Sequence, residues 1–143
     1  MASGSWWMGG RLTGGNARPD DLIALADRCE RLAADEQRFG FELALRLMGE
    51  ALLAPSTMNG DEGSLWVGLL ADSGAYESAA LALLPPDALY GGERLAEETY
   101  TAHVTLPGGA AAHSRGARSL AMAWLAALFR ALARDIIMKR GLH

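Results

Sequence analysis

The chain has 143 residues, half of them apolar, and a formal net charge of −4 at pH 7. This length is typical of one domain with a hydrophobic core, and we expect that domain to span residues 19–143. The mildly acidic balance argues against nucleic-acid binding, because phosphate contacts need a basic surface. We therefore expect no nucleic-acid partner.

The compartment can be inferred from cysteine usage and apolar runs. Cys29 is the only cysteine, so no disulfide can form within the chain, which fits a reducing compartment. Residues 1–10 lack the basic start and apolar run of an export signal. Charged residues interrupt both long apolar stretches, namely Asp72, Glu77, Arg130, Arg134 and Asp135. We expect a cytoplasmic protein without a membrane span.

Residues 1–18 are predicted to be a flexible tail that contributes little to stability. Two glycine pairs interrupt this stretch, and glycine loses much entropy on ordering. Trp6 and Trp7 are its unusual feature. They are interpreted as part of an extension without fixed contacts, or alternatively as a pair that docks on a partner or on the domain.

Two helices are predicted next. Pro19, followed by two aspartates, is typical of a helix start. Cys29 lies on the apolar stripe of this helix and is predicted to be a buried, unreactive thiol. A break near Ala34 separates it from a second helix, which runs to about Leu53 and stops before Pro55.

The middle of the chain is predicted to be less regular. Residues 56–64 are rich in turn formers and predict a loop. Residues 65–70 are an apolar run that predicts a short strand or an inward-packing loop. Ser73 is a candidate N-cap for a third helix that stops at Pro85. The apolar stripe of that helix comprises Tyr76, Ala80, Leu83 and Leu84.

The hydrophobic period then changes to two. Alternation over residues 99–106 predicts a half-buried strand, and residues 110–114 can return as its partner after the turn at 107–109. A preceding strand is predicted at either 88–90 or 94–96.

Residues 117–140 predict one long amphipathic helix with Ser119 as its candidate cap. Its apolar stripe comprises Ala121, Trp124, Leu125, Leu128, Leu132 and Ile136. This stripe and the apolar face of the strand at 99–106 should bury each other. The predicted fold class is α+β: a small antiparallel sheet flanked by helices, an α-β-α sandwich, with the long C-terminal helix packed on the sheet.

The order of these elements resembles the phage ABA sandwich domain, a family of small phage and prophage proteins. The similar segments cover most of residues 21–134 and comprise 22–26 with Glu30, 35–38, 75–85 and 117–128. Two features depart from the family pattern: only Tyr90 represents the aromatic-rich strand expected after the middle helix, and residues 1–18 are additional. The resemblance implies a small sheet flanked by helices. It implies no catalytic residues, because the family has no established activity.

No local motif predicts catalysis or a cofactor. A phosphate-binding loop, a dinucleotide fingerprint and a nucleophile elbow are all absent from the sequence. Ser73 is better explained as a helix cap than as a nucleophile. Glu97 and Glu98 are adjacent at a predicted strand entry, where their side chains would point to opposite faces. We therefore assign no catalytic, cofactor-binding or metal-binding residues.

His103 and His113 are the only candidate site residues, and they are weak ones. If Leu106 pairs with Ala110 across the turn, counting back places the two histidines opposite each other on the polar face. Such a pair can be solvated and inert, can respond to pH near 6, or can bind a metal. A metal site needs a third or fourth ligand, and none lies at local spacing.

Two functions from different classes are compatible with this pattern. The first is a non-catalytic interaction module with an unknown protein partner, a phage or prophage accessory or structural protein. The alternative is a small enzyme whose site is assembled from distant segments around His103 and His113. A pocket joining both histidines with a carboxylate would favour the enzyme, and an exposed apolar patch would favour the module.

Overall fold

The computed structural model describes residues 18–48 and 60–141. Residues 1–17 of the predicted tail, the predicted helix end near Leu53 and residues 56–59 of the predicted loop lie outside these residues. A 3-10 turn at Ala34–Glu36 separates the first two helices. The elements in chain order are α1 (Pro19–Arg31), α2 (Gln37–Met48), α3 (Gly60–Asp72), α4 (Tyr76–Leu83), β1 (Leu89–Ala96), β2 (Thr99–Thr105), β3 (Ala111–His113) and α5 (Leu120–Gly141).

The C-terminal helix α5 is the middle layer of the domain. The three strands pack against one side of it, and α1 and α4 pack against other sides. Every residue from 121 to 129 is buried. The predicted apolar stripe is confirmed as buried, but the prediction of an amphipathic helix was wrong over this central part. Alanines at Ala123, Ala126 and Ala127 occupy the remaining sides, and their small side chains let neighbouring elements approach closely.

The α+β fold class is confirmed. The sheet is antiparallel, with strand order β1-β2-β3, and the long C-terminal helix packs on it. The two alternative preceding strands are parts of one strand, β1. Glu97 and Glu98 lie in the turn between β1 and β2, where Glu98 adopts φ of 55°, and not at a strand entry. The outward side chains of the sheet are largely open to solvent within the described part of the chain.

The predicted two faces of β2 are confirmed. Ala102 and Val104 are buried on the face that meets α5, whereas His103 is exposed on the other. Ser114 extends this pairing beyond β3, because its hydroxyl accepts the N–H of Ala102 at 2.9 Å. Trp124 anchors β1 to α5: its indole N–H donates to the Gly91 carbonyl at 3.3 Å, and Tyr90 packs edge-on against its ring.

The prediction of a strand or inward loop at 65–70 was wrong. These residues belong to α3, which also includes the last residues of the predicted loop. Val67 and Ala71 are buried one helical turn apart. Their neighbours on the exposed side of the helix are also apolar, so the sequence shows a continuous apolar run instead of a helical period. Ser73 is not the cap of α4; its hydroxyl donates to the Leu70 carbonyl at 2.9 Å, where α3 ends.

Two glycines should respond to alanine in opposite directions. At Gly92 in β1, an added Cβ would lie 2.8 Å from Leu120 Cδ1 and 3.0 Å from the Thr101 carbonyl oxygen. At Gly68 in α3, no atom of the described residues lies within 4 Å of that position. We expect G92A to lower the free energy of unfolding, and G68A to raise it by about 0.5–1 kcal/mol. Urea denaturation of both variants tests this pair, and a destabilised G68A would contradict the open space beside α3.

Candidate functional site

The two predicted site residues meet as expected. His103 of β2 pairs directly with His113 of β3, and Thr105 pairs with Ala111. Both imidazoles are exposed on the outer face of the sheet. The predicted register is therefore confirmed without a bulge between these two strands.

The imidazole of His103 lies over the neighbouring strand β1. A Cβ at Gly91 would sit 2.6 Å from His103 Cε1 and 3.1 Å from its Nε2. His113 lies on the opposite side of β2, in β3. Gly91 therefore provides the space that the His103 ring occupies, and the ring leans toward β1.

A shallow cleft of about 370 Å³ opens beside this ring on the outer sheet face. Glu93 and Thr101, which pair across β1 and β2, line it together with both histidines. The cleft thus joins a carboxylate to the histidine pair. Glu93 was missed because the sequence left the position and register of β1 undetermined. The available signal was the Gly91-Gly92 pair, since Gly91 lies opposite His103.

The chemistry available in this cleft is that of solvated acid and base groups. Both imidazoles and the Glu93 carboxyl group are open to water on a sheet face. Within residues 18–48 and 60–141, no three His, Cys, Asp or Glu side chains are grouped closely enough to hold a metal ion. The cleft therefore offers two imidazoles and one carboxyl group to a small polar molecule at a site open to solvent.

Zinc should leave the melting temperature unchanged. Two exposed imidazoles, one of them leaning away toward β1, supply too few ligands for a stable site. Thermal unfolding with and without equimolar zinc measures this. A rise in melting temperature that is lost in the H103A variant would show that the pair binds metal after all.

A second group of ionisable side chains connects α1 to α5. The guanidinium of Arg130 donates to Glu30 Oε1 at 2.8 Å and to Asp27 Oδ1 at 2.7 Å. It also donates to the backbone carbonyl of His113 at 3.2 Å, and the N–H of Arg115 donates to Glu30 Oε2 at 2.7 Å. The Arg130 and Glu30 side chains are only 13% and 14% exposed. This cluster therefore holds α1, α5 and the end of β3 together.

The electrostatics of this cluster favour the ionised state of both partners. Burial alone would raise the pKa of Glu30, but hydrogen bonds from Arg130 and from the Arg115 N–H more than offset it, so its pKa is lowered. The hydrogen bond to Glu30 is the main reason that the pKa of Arg130 is raised, although burial opposes this effect. Among the described residues, no buried side-chain polar atom of this cluster lacks a hydrogen-bond partner, so the cluster is explained by its role in packing.

Cys29 lies near this cluster in sequence. It is fully buried in the core. Burial, with a smaller effect from the Glu30 charge, raises its pKa to about 12. The predicted burial of this thiol is confirmed, and its lack of reactivity stays a prediction that the raised pKa supports.

The largest exposed apolar group within one described helix lies on α3. Leu65, Trp66 and Leu69 are 67%, 47% and 62% exposed. At 100° per residue, they occupy one side of the helix, opposite the buried Val67 and Ala71. We call these three side chains the α3 surface. An ion pair between Arg38 and Asp72, 3.0 Å apart, connects the end of α3 to α2.

Comparison with protein-family models, curated proteins and solved structures gives no match to this chain. None of the described helices combines the length and the apolar character needed to cross a membrane. Function must therefore be argued from the surfaces described above.

Proposed function

We propose that this protein is a non-catalytic interaction module that binds a protein partner through the α3 surface. The exposed Trp66 between two exposed leucines carries this proposal. Tryptophan is enriched among the residues that dominate binding energies, and clustered exposed apolar side chains mark interaction sites. The further assignment to a phage or prophage accessory or structural protein rests on the sequence resemblance alone.

Site-directed photo-cross-linking tests this proposal. A photoreactive amino acid replaces Leu69, and the full chain is expressed and irradiated in the cells that normally produce it. We expect a discrete adduct of higher mass, because a partner seated on the α3 surface would contact this position. The W66S substitution in the same chain should remove the adduct while the domain stays folded, since Trp66 is half exposed.

The matched control places the same photoreactive group at Glu77. This residue is exposed on α4, the neighbouring helix, and lies outside the α3 surface. An adduct that forms equally from both positions, or that survives W66S, would contradict a specific role of the α3 surface.

A small enzyme is the second candidate, and one observation favours it. The outer cleft joins His103, His113 and Glu93, which is the combination of two bases and a carboxylate that acid–base chemistry uses. Imidazole resonances followed by NMR during titration with small anionic metabolites would test this. Saturable shifts at both histidines that E93Q weakens would favour the enzyme; unchanged resonances across the series would count against it.

A further inference from the structure

We propose that two copies of this chain pair through β1, antiparallel about a two-fold axis at Gly92. The two three-stranded sheets would then form one continuous sheet. This surface is distinct from the α3 surface, so the proposal goes beyond the proposed function and does not depend on it.

The outer edge of β1 is open. Within the described residues, β1 pairs only with β2, and no other strand lies beyond it. The strand has eight residues and no proline. Leu89 and Leu95 are 69% and 58% exposed, and Tyr90 is half exposed. Long edge strands with exposed apolar side chains are templates for pairing with another strand, although β1 also carries Glu93, Arg94 and a shift of register with β2 between Arg94 and Ala96.

The direction of the backbone groups on β1 follows from the bonds of β2. The Leu106 N–H donates to the Ala110 carbonyl, and the Ser114 N–H donates to the Ala102 carbonyl, so even-numbered residues of β2 bond toward β3. Alternation leaves its odd-numbered residues to bond with β1. His103 pairs with Gly91 and Thr101 with Glu93. The alternating residues of β1, at 90, 92 and 94, therefore direct their N–H and C=O groups away from β2, toward the open edge.

One register of self-pairing uses all three outward positions. Gly92 lies opposite Gly92 of the partner subunit, and Tyr90 lies opposite the partner's Arg94. This arrangement makes about six backbone hydrogen bonds across the interface. Because of the symmetry, each Arg94 guanidinium meets the Tyr90 ring of the other copy, where a cation–π contact can form.

Charge and strand length exclude the neighbouring registers. A shift of the axis to Glu93 or to Arg94 would oppose identical charges, which is unfavourable between directly paired residues. A shift toward Leu89 keeps charges apart but pairs fewer residues of the strand. A second copy of the chain is therefore the occupant that fits this edge, because the edge is complementary to itself.

Sedimentation velocity of the full chain provides the first test. The wild-type protein should be a dimer at micromolar concentration. In the L89K/L95K variant, each lysine would face a lysine of the other copy, and the dissociation constant should rise more than about tenfold. Both residues are exposed in one copy, so the melting temperature of the dilute monomer should be retained.

The matched control is L65K/W66K, which places two lysines on the α3 surface and leaves position 69 for the photoreactive group. It should remain dimeric but should lose the cross-linked partner, whereas L89K/L95K should keep that partner. A monomeric wild-type chain at high micromolar concentration, or a dimer that survives L89K/L95K, would overturn the β1 pairing. Neither result would affect the proposed function.

Disulfide trapping tests the register itself. Paired Cα atoms at 90 and 94 should lie about 5.5 Å apart, within disulfide reach. Two copies of position 90 should be about 14 Å apart. A mixture of Y90C and R94C chains should therefore form a disulfide-linked dimer, whereas each variant alone should not. A dimer that cross-links only in the single-variant samples would refute this register. The buried native thiol of Cys29 does not compete.

Discussion

Replacing Leu128 with alanine should lower the free energy of unfolding by about 2–5 kcal/mol. Leu128 is fully buried in the middle of α5, where the sheet lies on one side and α1 and α4 lie on others. Its truncation removes apolar contacts and leaves a cavity that three surrounding layers cannot easily fill. Urea denaturation of the purified variant measures the change.

The matched control for Leu128 is I137A on the same helix. Ile137 is half exposed near the end of α5, so its truncation should change stability by less than about 0.5–1 kcal/mol. Equal losses in the two variants would show that α5 is not buried more deeply at its centre than at its end.

The R130A variant should lose about 1.5–3 kcal/mol of stability, the range for hydrogen bonds to charged groups, because the ion pair with Glu30 is only partly buried. Without the guanidinium, the partly buried Glu30 carboxylate keeps only the hydrogen bond from the Arg115 N–H. The substitution also removes the bonds to Asp27 and to the His113 carbonyl. Chemical denaturation at pH 7 measures this effect.

The control for Arg130 is R134A, one turn further along α5. Arg134 is exposed and makes one hydrogen bond, to the Ala111 carbonyl at 2.9 Å. Its loss should cost less than about 1.5 kcal/mol. If R134A were as destabilising as R130A, the loss of stability in R130A would come mainly from weaker attachment of β3 and not from the ion pair with Glu30.

The effect of R130A should also depend on pH. The pKa of Glu30 is lower in the folded chain than in the unfolded chain, so the unfolded chain binds more protons in acid. The stabilisation is fully present above the ordinary glutamate pKa of about 4.3 and is lost as pH falls through the depressed folded value. The difference between wild type and R130A should therefore shrink below about pH 4. A difference that grows in acid would contradict the assigned pairing.

Sequence reasoning succeeded where local rules determine the structure. The alternation along β2 and the short turn at 107–109 were sufficient to place His103 opposite His113. The helix start at Pro19 and the cap at Ser119 also follow local rules, and the Ser119 hydroxyl accepts the Met122 N–H at 3.3 Å.

The missed features depend on contacts between distant segments. Arg130 lies off the predicted apolar stripe of α5, and its partner Glu30 is 100 residues away. Nothing local in the sequence indicates that pair. The helical state of 65–70 was missed for another reason: the exposed side chains that form the α3 surface are apolar and hide the helical period.

The two proposed surfaces lie on different elements and have different physical character. The α3 surface presents side chains from one face of a helix, which suits a groove on a partner. The outer edge of β1 presents backbone groups, which suits another strand. If both proposals hold, a symmetric dimer carries two α3 surfaces and gains avidity for a partner with repeated sites.

Native-state hydrogen exchange tests most directly whether α5 is the central layer of this domain. The amides from Leu125 to Leu132 should exchange only through global unfolding, with a free energy equal to that from urea denaturation. Amides near the exposed end of α5, around Met138, should exchange faster through local fraying. If the central amides of α5 instead exchanged through local opening, while those of β2 stayed protected, the sheet would not depend on α5 and the layered arrangement would be wrong.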